Sequence, residues 1–245
     1  MSSIEIKGLT KRYGDLLAVD SLSLNIASGE FFALLGVNGA GKTTTIKMLS
    51  CLTSPDGGDA HLGGHSIRTE AEAVKKITDI SPQETSVAPN LTVRENLEFV
   101  SRIYGLGKKG AAEHALIMMK KYGLTDVASQ RAKTLSGGWQ RRLSIAMALA
   151  SEPEILFLDE PTLGLDVLAR RELWDAISAL KGEVTVILTT HYLEEAEHLA
   201  DRIGIMANGK LCAVGTAQEL TSLADASSFE DAFVALAAGK DGQNE

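Results

Sequence analysis

Gly36, Val37, Asn38, Gly39, Ala40, Gly41, Lys42 and Thr43 follow the order G-x-x-x-x-G-K-[ST], with Thr44 directly behind. Glycines at these places let successive backbone N–H groups turn inward around phosphate oxygens. A helix beginning at Lys42 aims its positive N-terminal end at the same anion. Lys42 then reaches the β- and γ-phosphates of a nucleoside triphosphate, and the Thr43 hydroxyl reaches Mg2+. A glycine-rich turn with a surface lysine has the same composition, but the flanking residues decide against it. Phe31–Leu35 is an unbroken apolar run, the pattern of a strand buried on both faces, and Lys42–Leu49 reads as a helix.

A second apolar run, Ile155–Leu158, ends in two adjacent carboxylates, Asp159 and Glu160. Buried carboxylates are costly unless they have a task. In open α/β sheets ligands sit beyond the carboxyl ends of the strands. Asp159 is therefore placed to hold Mg2+ through its water shell. Glu160, on the other side of the strand period, is placed to accept a proton from an attacking water. In isolation an Asp-Glu pair after a strand is more often a helix N-terminal pair; beside a phosphate cradle the catalytic reading wins. His191 follows Val184–Leu188 and two threonines, so it too stands at a strand end, within reach of a γ-phosphate. Leu135-Ser136-Gly137-Gly138 opens a helix, where a hydroxyl, free N–H groups and a dipole make a second anion-facing surface. Alone, that turn reads as an ordinary cap, and a lone strand-end histidine as a structural one.

The elements that must position these residues follow from the pattern. Ile4–Leu9 and Leu22–Ile26 alternate apolar and polar residues, as an antiparallel sheet edge does. Phe31–Leu35, Ile155–Leu158 and Val184–Leu188 are buried strands, joined to helices over Lys42–Leu49, Leu168–Leu180 and Leu193–Leu199. Such alternation implies a parallel sheet covered on both faces. Between them, Leu91–Tyr104, Ala111–Tyr122 and Gly138–Ala150 carry helical spacing with no strand signal, so a helical subdomain over about residues 90–150 is inserted into the core. From Thr216 on, two short helices lead to a polar end, Gly239–Glu245, expected to fray. The expected fold is α/β: a P-loop NTPase core with a mostly parallel sheet, an N-terminal antiparallel β subdomain and the inserted helices, all within one domain over 1–245.

Composition narrows the partners. A net charge of -8 over 245 residues argues against a nucleic-acid surface, since phosphate backbones reward excess Lys and Arg. The first residues lack the apolar core of a signal peptide, and no stretch approaches the ~20 apolar residues of a membrane span; a soluble chain is expected. Cys51 and Cys212 suit a reduced compartment. His61 and His65 flank two glycines with no nearby carboxylate and are expected in a solvated turn.

With these motifs in this order, the chain resembles the ATPase subunits of ABC transporters over nearly its whole length, from about Ile4 to Leu220. Leu135-Ser136-Gly137-Gly138 resembles that family's signature motif. The resemblance implies ATP and Mg2+ as ligands. It makes Tyr13 the aromatic that stacks on adenine, Gln83 a glutamine touching Mg2+ and the attacking water, and His191 the switch histidine. Leu163-Gly164-Leu165-Asp166 is similar to the loop through which two subunits communicate. It also implies a head-to-tail pair, Ser136 and Gly138 of one subunit capping the γ-phosphate held by Gly36–Thr44 of the other. The second subunit is expected to be an identical copy. Trp139 stands where many members have Gln, with Gln140 following, and Ser228–Phe233 is similar to the ending of the ABC-2 type exporter branch. These features imply an exporter subunit serving a separate membrane permease, cytoplasmic and peripheral at the inner face of the membrane. Contact with the permease is expected over Glu84–Leu91 and the helical lobe. The competing readings are an importer ATPase, which is longer where it carries a regulatory domain, and a non-transport ABC ATPase, which needs long coiled-coil insertions absent here. A monomeric P-loop kinase or GTPase would have no use for the Ser136 turn.

Overall fold

The structure is a computed structural model and describes residues 2–238; the expectation for Gly239–Glu245 lies outside them. The chain opens with a long hairpin, β1 (Ser2–Tyr13) and β2 (Leu16–Ala27), then enters β3 (Phe31–Leu35) and α1 (Lys42–Leu49). β4 (Gly57–Leu62) and β5 (His65–Ser66) precede α2 (Ala71–Ile77) and β6 (Thr78–Ser81). Three helices follow, α3 (Val93–Ile103), α4 (Lys108–Lys121) and α5 (Gly137–Ala148). The remainder alternates: β7 (Ile155–Asp159), α6 (Val167–Ser178), β8 (Thr185–Thr190), α7 (Leu193–Leu199) and β9 (Arg202–Ala207). β10 (Lys210–Gly215), α8 (Ala217–Leu223) and α9 (Phe229–Ala238) complete the described chain.

One sheet runs β10-β9-β3-β8-β7-β6, parallel throughout except for the β10 edge. Its strands are buried on both faces, and successive side chains feed two cores. Phe31, Ala33 and Leu35 pack with the helical lobe, α6 and α7, while Phe32 and Leu34 pack with α1 and the antiparallel sheet β2-β1-β4-β5. Each such buried Phe or Leu side chain contributes about 1.5–3 kcal/mol. Because β3, β8, β7 and β6 are parallel neighbours, their carboxyl ends open onto one edge of the sheet. Leu35 pairs with Thr190, Asp159 with Thr189, and Ser81 with Leu158. Four loops distant in sequence thus begin side by side.

The helical lobe is attached to this edge through polar contacts as well. Tyr104 at the end of α3 donates its hydroxyl to Asp79 of β6 at 2.5 Å, and Ser151 donates to the same oxygen at 3.0 Å. Burial pushes the Asp79 carboxyl above its usual range, and burial with the Asp79 hydrogen bond pushes Tyr104 up to about 12.

Several elements differ from the sequence expectations. β1 and β2 extend well past Ile4–Leu9 and Leu22–Ile26, because register shifts along their pairing break the simple alternation. β6 is a four-residue strand of Thr, Asp, Ile and Ser, too short and polar to announce itself, and it holds only by pairing with β7. β4, β5, α2, β9 and β10 were likewise not apparent in the sequence. β8 includes Thr189 and Thr190, both fully buried, where the apolar run alone suggested an end at Leu188. His61 and His65 sit not in a solvated turn but in the paired strands β4 and β5. His65 Nδ1 lies 3.0 Å from Glu70 Oε1, a carboxylate supplied by the start of the next helix.

Candidate functional site

The turn after β3 is fixed from behind by backbone. At Gly36 a Cβ would stand 2.3 Å from the Met206 carbonyl oxygen of β9. At Gly41, where φ is 104°, it would stand 2.4 Å from the Ala18 carbonyl of β2. Only glycine permits both the left-handed backbone and the close approach. The turn therefore wraps outward and feeds α1, so its N–H groups and the α1 N-terminus face one cleft of about 420 Å³.

That cleft is lined by Asn38, Gly39, Ala40, Gly41, Lys42, Thr43 and Thr44 on one side and by Gln83, Glu160, Leu163 and His191 on the other. Tyr13, with Leu16 and Ala18 of the hairpin, forms a third wall. Tyr13 presents an exposed ring, with the Lys11 ammonium 5.5 Å from its centroid. Lys42 is buried, its Nζ donating to the carbonyls of Gly36 at 2.7 Å and Val37 at 3.2 Å and lying 3.4 Å from Glu160 Oε1. A buried ammonium is tolerable because its donors are met in this way.

Asp159, at the end of β7, accepts from Thr43 Oγ1 at 3.1 Å and Thr189 Oγ1 at 2.5 Å. Thr189 was missed in the sequence; a polar residue closing an apolar strand was its only signal. Glu160 is not aimed by strand alternation, as the sequence suggested. Its backbone is left-handed, with φ of 47°, and its N–H is held by the Thr189 carbonyl and hydroxyl, each at 3.1 Å. Strained backbone of this kind persists where the surroundings over-determine it. The result places the Glu160 carboxylate between Lys42 and His191, whose Nδ1 is 3.0 Å from Glu160 Oε2. The imidazole packs against Tyr192 at 4.1 Å between centroids, and the Arg170 guanidinium lies over that same Tyr192 ring at 4.3 Å.

Behind these loops sits Glu195 of α7, fully buried. Its Oε1 accepts from Trp174 Nε1 at 3.0 Å, while Oε2 and the Thr162 hydroxyl make no well-aligned hydrogen bond. Burial pushes its carboxyl above the usual range, against the opposing pull of the nearby Thr190 and Thr162 hydroxyls, Trp174 and Arg170. Nothing in the sequence marked Glu195, since its neighbour Glu194 is an ordinary exposed residue in the same short helix.

Four expected site positions, Ser136, Gly137, Gly138 and Asp166, stand apart from the cleft. Ser136 and Gly137 are exposed, and with Gly138 they open α5 against α6, where a Cβ on Gly138 would meet Ala169 Cβ at 3.1 Å. Asp166 spends its carboxylate capping α6, accepting from the N–H groups of Leu168 and Ala169 at 3.0 Å. Ser136 differs from the other hydroxyl caps. Thr92 and Thr216 close full capping boxes with Glu95 and Glu219, whereas the Ser136 side chain makes no bond to its helix.

Known proteins resemble this chain over most of its length. The sequence profile described as ABC transporter matches residues 19–163. The daunorubicin/doxorubicin resistance ATP-binding protein DrrA of Streptomyces peucetius is 44% identical over 221 residues, covering 90% of this chain and 67% of that protein. Among solved structures, the ATP-binding subunit of an ABC transporter superposes with a TM-score of 0.82 at 28% identity, over 96% of this chain and 99% of the other. A dimeric post-hydrolysis ATP-binding cassette bound to ADP and Pi superposes with a TM-score of 0.77 at 27% identity, over 87% and 98%.

Proposed function

Because this chain belongs to the ABC transporter family as an ATP-binding, ATP-hydrolysing subunit, we propose that it drives export through a separate membrane permease by closing, with ATP, onto a second identical copy. The observation that carries this reading is a division of labour. The cleft gathers the cradle, Gln83, Glu160 and His191 from one chain, while the Ser136 turn stands outside it, exposed and with an unused hydroxyl. The whole of 1–245 serves as one such ATPase domain, its helical subdomain lying between β6 and β7.

In this reading Gly36–Thr44 and Lys42 bind the phosphates, and the Tyr13 ring stacks on the base. Thr43, Asp159 and Gln83 would hold Mg2+. Among the described residues no cluster of three or more His, Cys, Asp or Glu could bind a metal alone, which suits an ion carried mainly by phosphate and one or two protein oxygens. The metal supplies neutralisation of phosphate charge when bound. Glu160, held between Lys42 and His191, takes the proton from the attacking water. The contact of His191 Nδ1 with Glu160 Oε2 holds the ring at the wall of the cleft, where it reaches the phosphate side. Ser136 and Gly138 of the second copy then cap the γ-phosphate, and Asp166 and its loop lie at the seam.

No helix among the described residues is long and apolar enough to cross a membrane; the permease is the partner that membership of the ABC transporter family implies. Its contact is assigned to Glu84–Leu91 and the helical lobe, where Phe99, Ile103, Leu116 and Ile117 are at least half exposed. Such a chain works at the cytoplasmic face of the membrane that holds the permease. The names of relatives such as DrrA and the linearmycin resistance ATP-binding protein LnrL of Bacillus subtilis support export as the direction. The test is Glu160→Gln: it binds ATP, loses roughly 100-fold or more in turnover and accumulates as a dimer in size-exclusion chromatography. Full turnover in that variant removes Glu160 from the role of base.

A further inference from the structure

We infer that Arg141 is a positioning residue that ties the Ser136 end of α5 to Gln83, so that a contact made by one copy's Ser136 turn is transmitted to that copy's own nucleotide cleft. The inference rests on the paired-copy reading above and adds the internal link that reading lacks.

Arg141 and Ser144 are three residues apart on α5 and share a face, and both are buried, at 5% and 4% exposed. That face meets the end of β6. Ser144 Oγ is 3.0 Å from Ser81 Oγ. Arg141 Nη1 donates to the Pro82 carbonyl and Nη2 to the Gln83 carbonyl. One helix face therefore holds three consecutive residues, and the third lines the cleft opposite the cradle. Among the described residues, these two guanidinium contacts are the hydrogen bonds that reach the main chain of residues 82–87. The position of Gln83 is thus set by α5 more than by its own loop.

The chemistry suits a link better than a simple anchor. A planar guanidinium presents two donors in fixed relation, so two successive carbonyls are held as a pair. Burial lowers the proton affinity of this guanidinium, and the carboxylates of Asp159 and Glu195 oppose that loss, keeping the cation in the interior. Movement of the α5 N-terminus has a short, packed route to Gln83. Arg141 lies one turn beyond the Ser136–Gly138 opening, and its far end is the Gln83 carbonyl.

The test uses the full-length chain. Arg141→Lys and Arg141→Met are compared with Gln83→Ala and with the corresponding double variants for ATP turnover, affinity for a fluorescent ATP analogue and melting temperature. Ser144→Ala is the control on the same helix face, because it leaves both carbonyl contacts in place. Lysine keeps the charge but holds the two carbonyls as a pair poorly, so it carries the test if the methionine variant does not fold. Arg141→Lys is expected to lower kcat roughly tenfold to a hundredfold and to keep KM and analogue affinity within about twofold. It is also expected to bring the Hill coefficient for ATP down to one. In the Gln83→Ala background the same substitution is expected to have no further effect. Unchanged kcat in both Arg141 variants, or an equal loss with and without Gln83, overturns the inference alone. A fall in analogue affinity in step with melting temperature also overturns it. Full turnover in Gln83→Ala overturns the reading of the site on which it rests, and the inference with it.

Discussion

Two turns of this chain are made of the same materials, glycines and a hydroxyl residue at the start of a helix, and they end in opposite surroundings. The turn at Gly36–Thr44 is wedged against the backbones of β2 and β9, its lysine is buried, and Glu160 and His191 close over it from neighbouring strands. The turn at Ser136–Gly138 opens on solvent, packs from behind on α6 and on Leu165 just before it, and leaves its hydroxyl unspent. Local sequence makes both turns able to face an anion. What separates them is how many elements converge on each. The first has all the partners that one chain can supply; the second, in the proposed pairing, is completed by another copy.

Substitutions at the two turns should therefore fail in different ways. Lys42→Ala strikes the assembled turn and carries the largest effect. Removing a buried charged donor costs about 3 kcal/mol, so affinity of the isolated chain for an ATP analogue falls roughly 100-fold. Fluorescence titration at low protein concentration measures it. Ser136→Arg strikes the other turn. Analogue binding by the isolated chain stays within about twofold, while turnover falls at least tenfold and the Glu160→Gln background no longer yields a dimer. If Ser136→Arg weakens binding by the isolated chain as Lys42→Ala does, the contrast between the turns collapses.

The smallest effect sharpens the contrast from behind the cleft. Glu195 is buried under the loops that close on the first turn, with its carboxyl pushed above the usual range by burial. A raised carboxyl binds its proton more tightly in the folded chain than in the unfolded one. Its contribution to stability is fully present below the ordinary carboxylate range and is lost as pH rises through the raised value. Glu195→Gln removes that dependence. The melting temperature of the variant relative to the unaltered chain should therefore be higher at pH 8 than at pH 5, read by calorimetry across that range.

Much of the first turn was legible because its requirements are local. Glycines, a lysine and an apolar strand run are contiguous, and the carboxylates end a strand of the same kind. The Ser136 turn was legible as a motif, but its isolation from the cleft was not, since exposure depends on what packs nearby. β6 escaped notice because four polar-leaning residues carry no periodicity; its strand state comes from pairing with β7. Glu160 lines the cleft, but a left-handed backbone turns it there, not the alternation along β7 expected from the sequence. Thr189, Arg141 and Glu195 left almost no trace, because each acts through a partner far away in sequence.

By itself, the sequence determined the glycine-rich turn with its lysine, the paired carboxylates, the buried strands and the family to which they belong. These depend on residue type and short spacing, which backbone geometry converts directly into local structure. The tertiary structure alone decided that four strand ends would open side by side, that Glu160 would lie between Lys42 and His191, and that Ser136 would stand apart from them. Those relations depend on sheet order and helix packing, and contacts between distant segments are fixed only when the whole chain closes on its core.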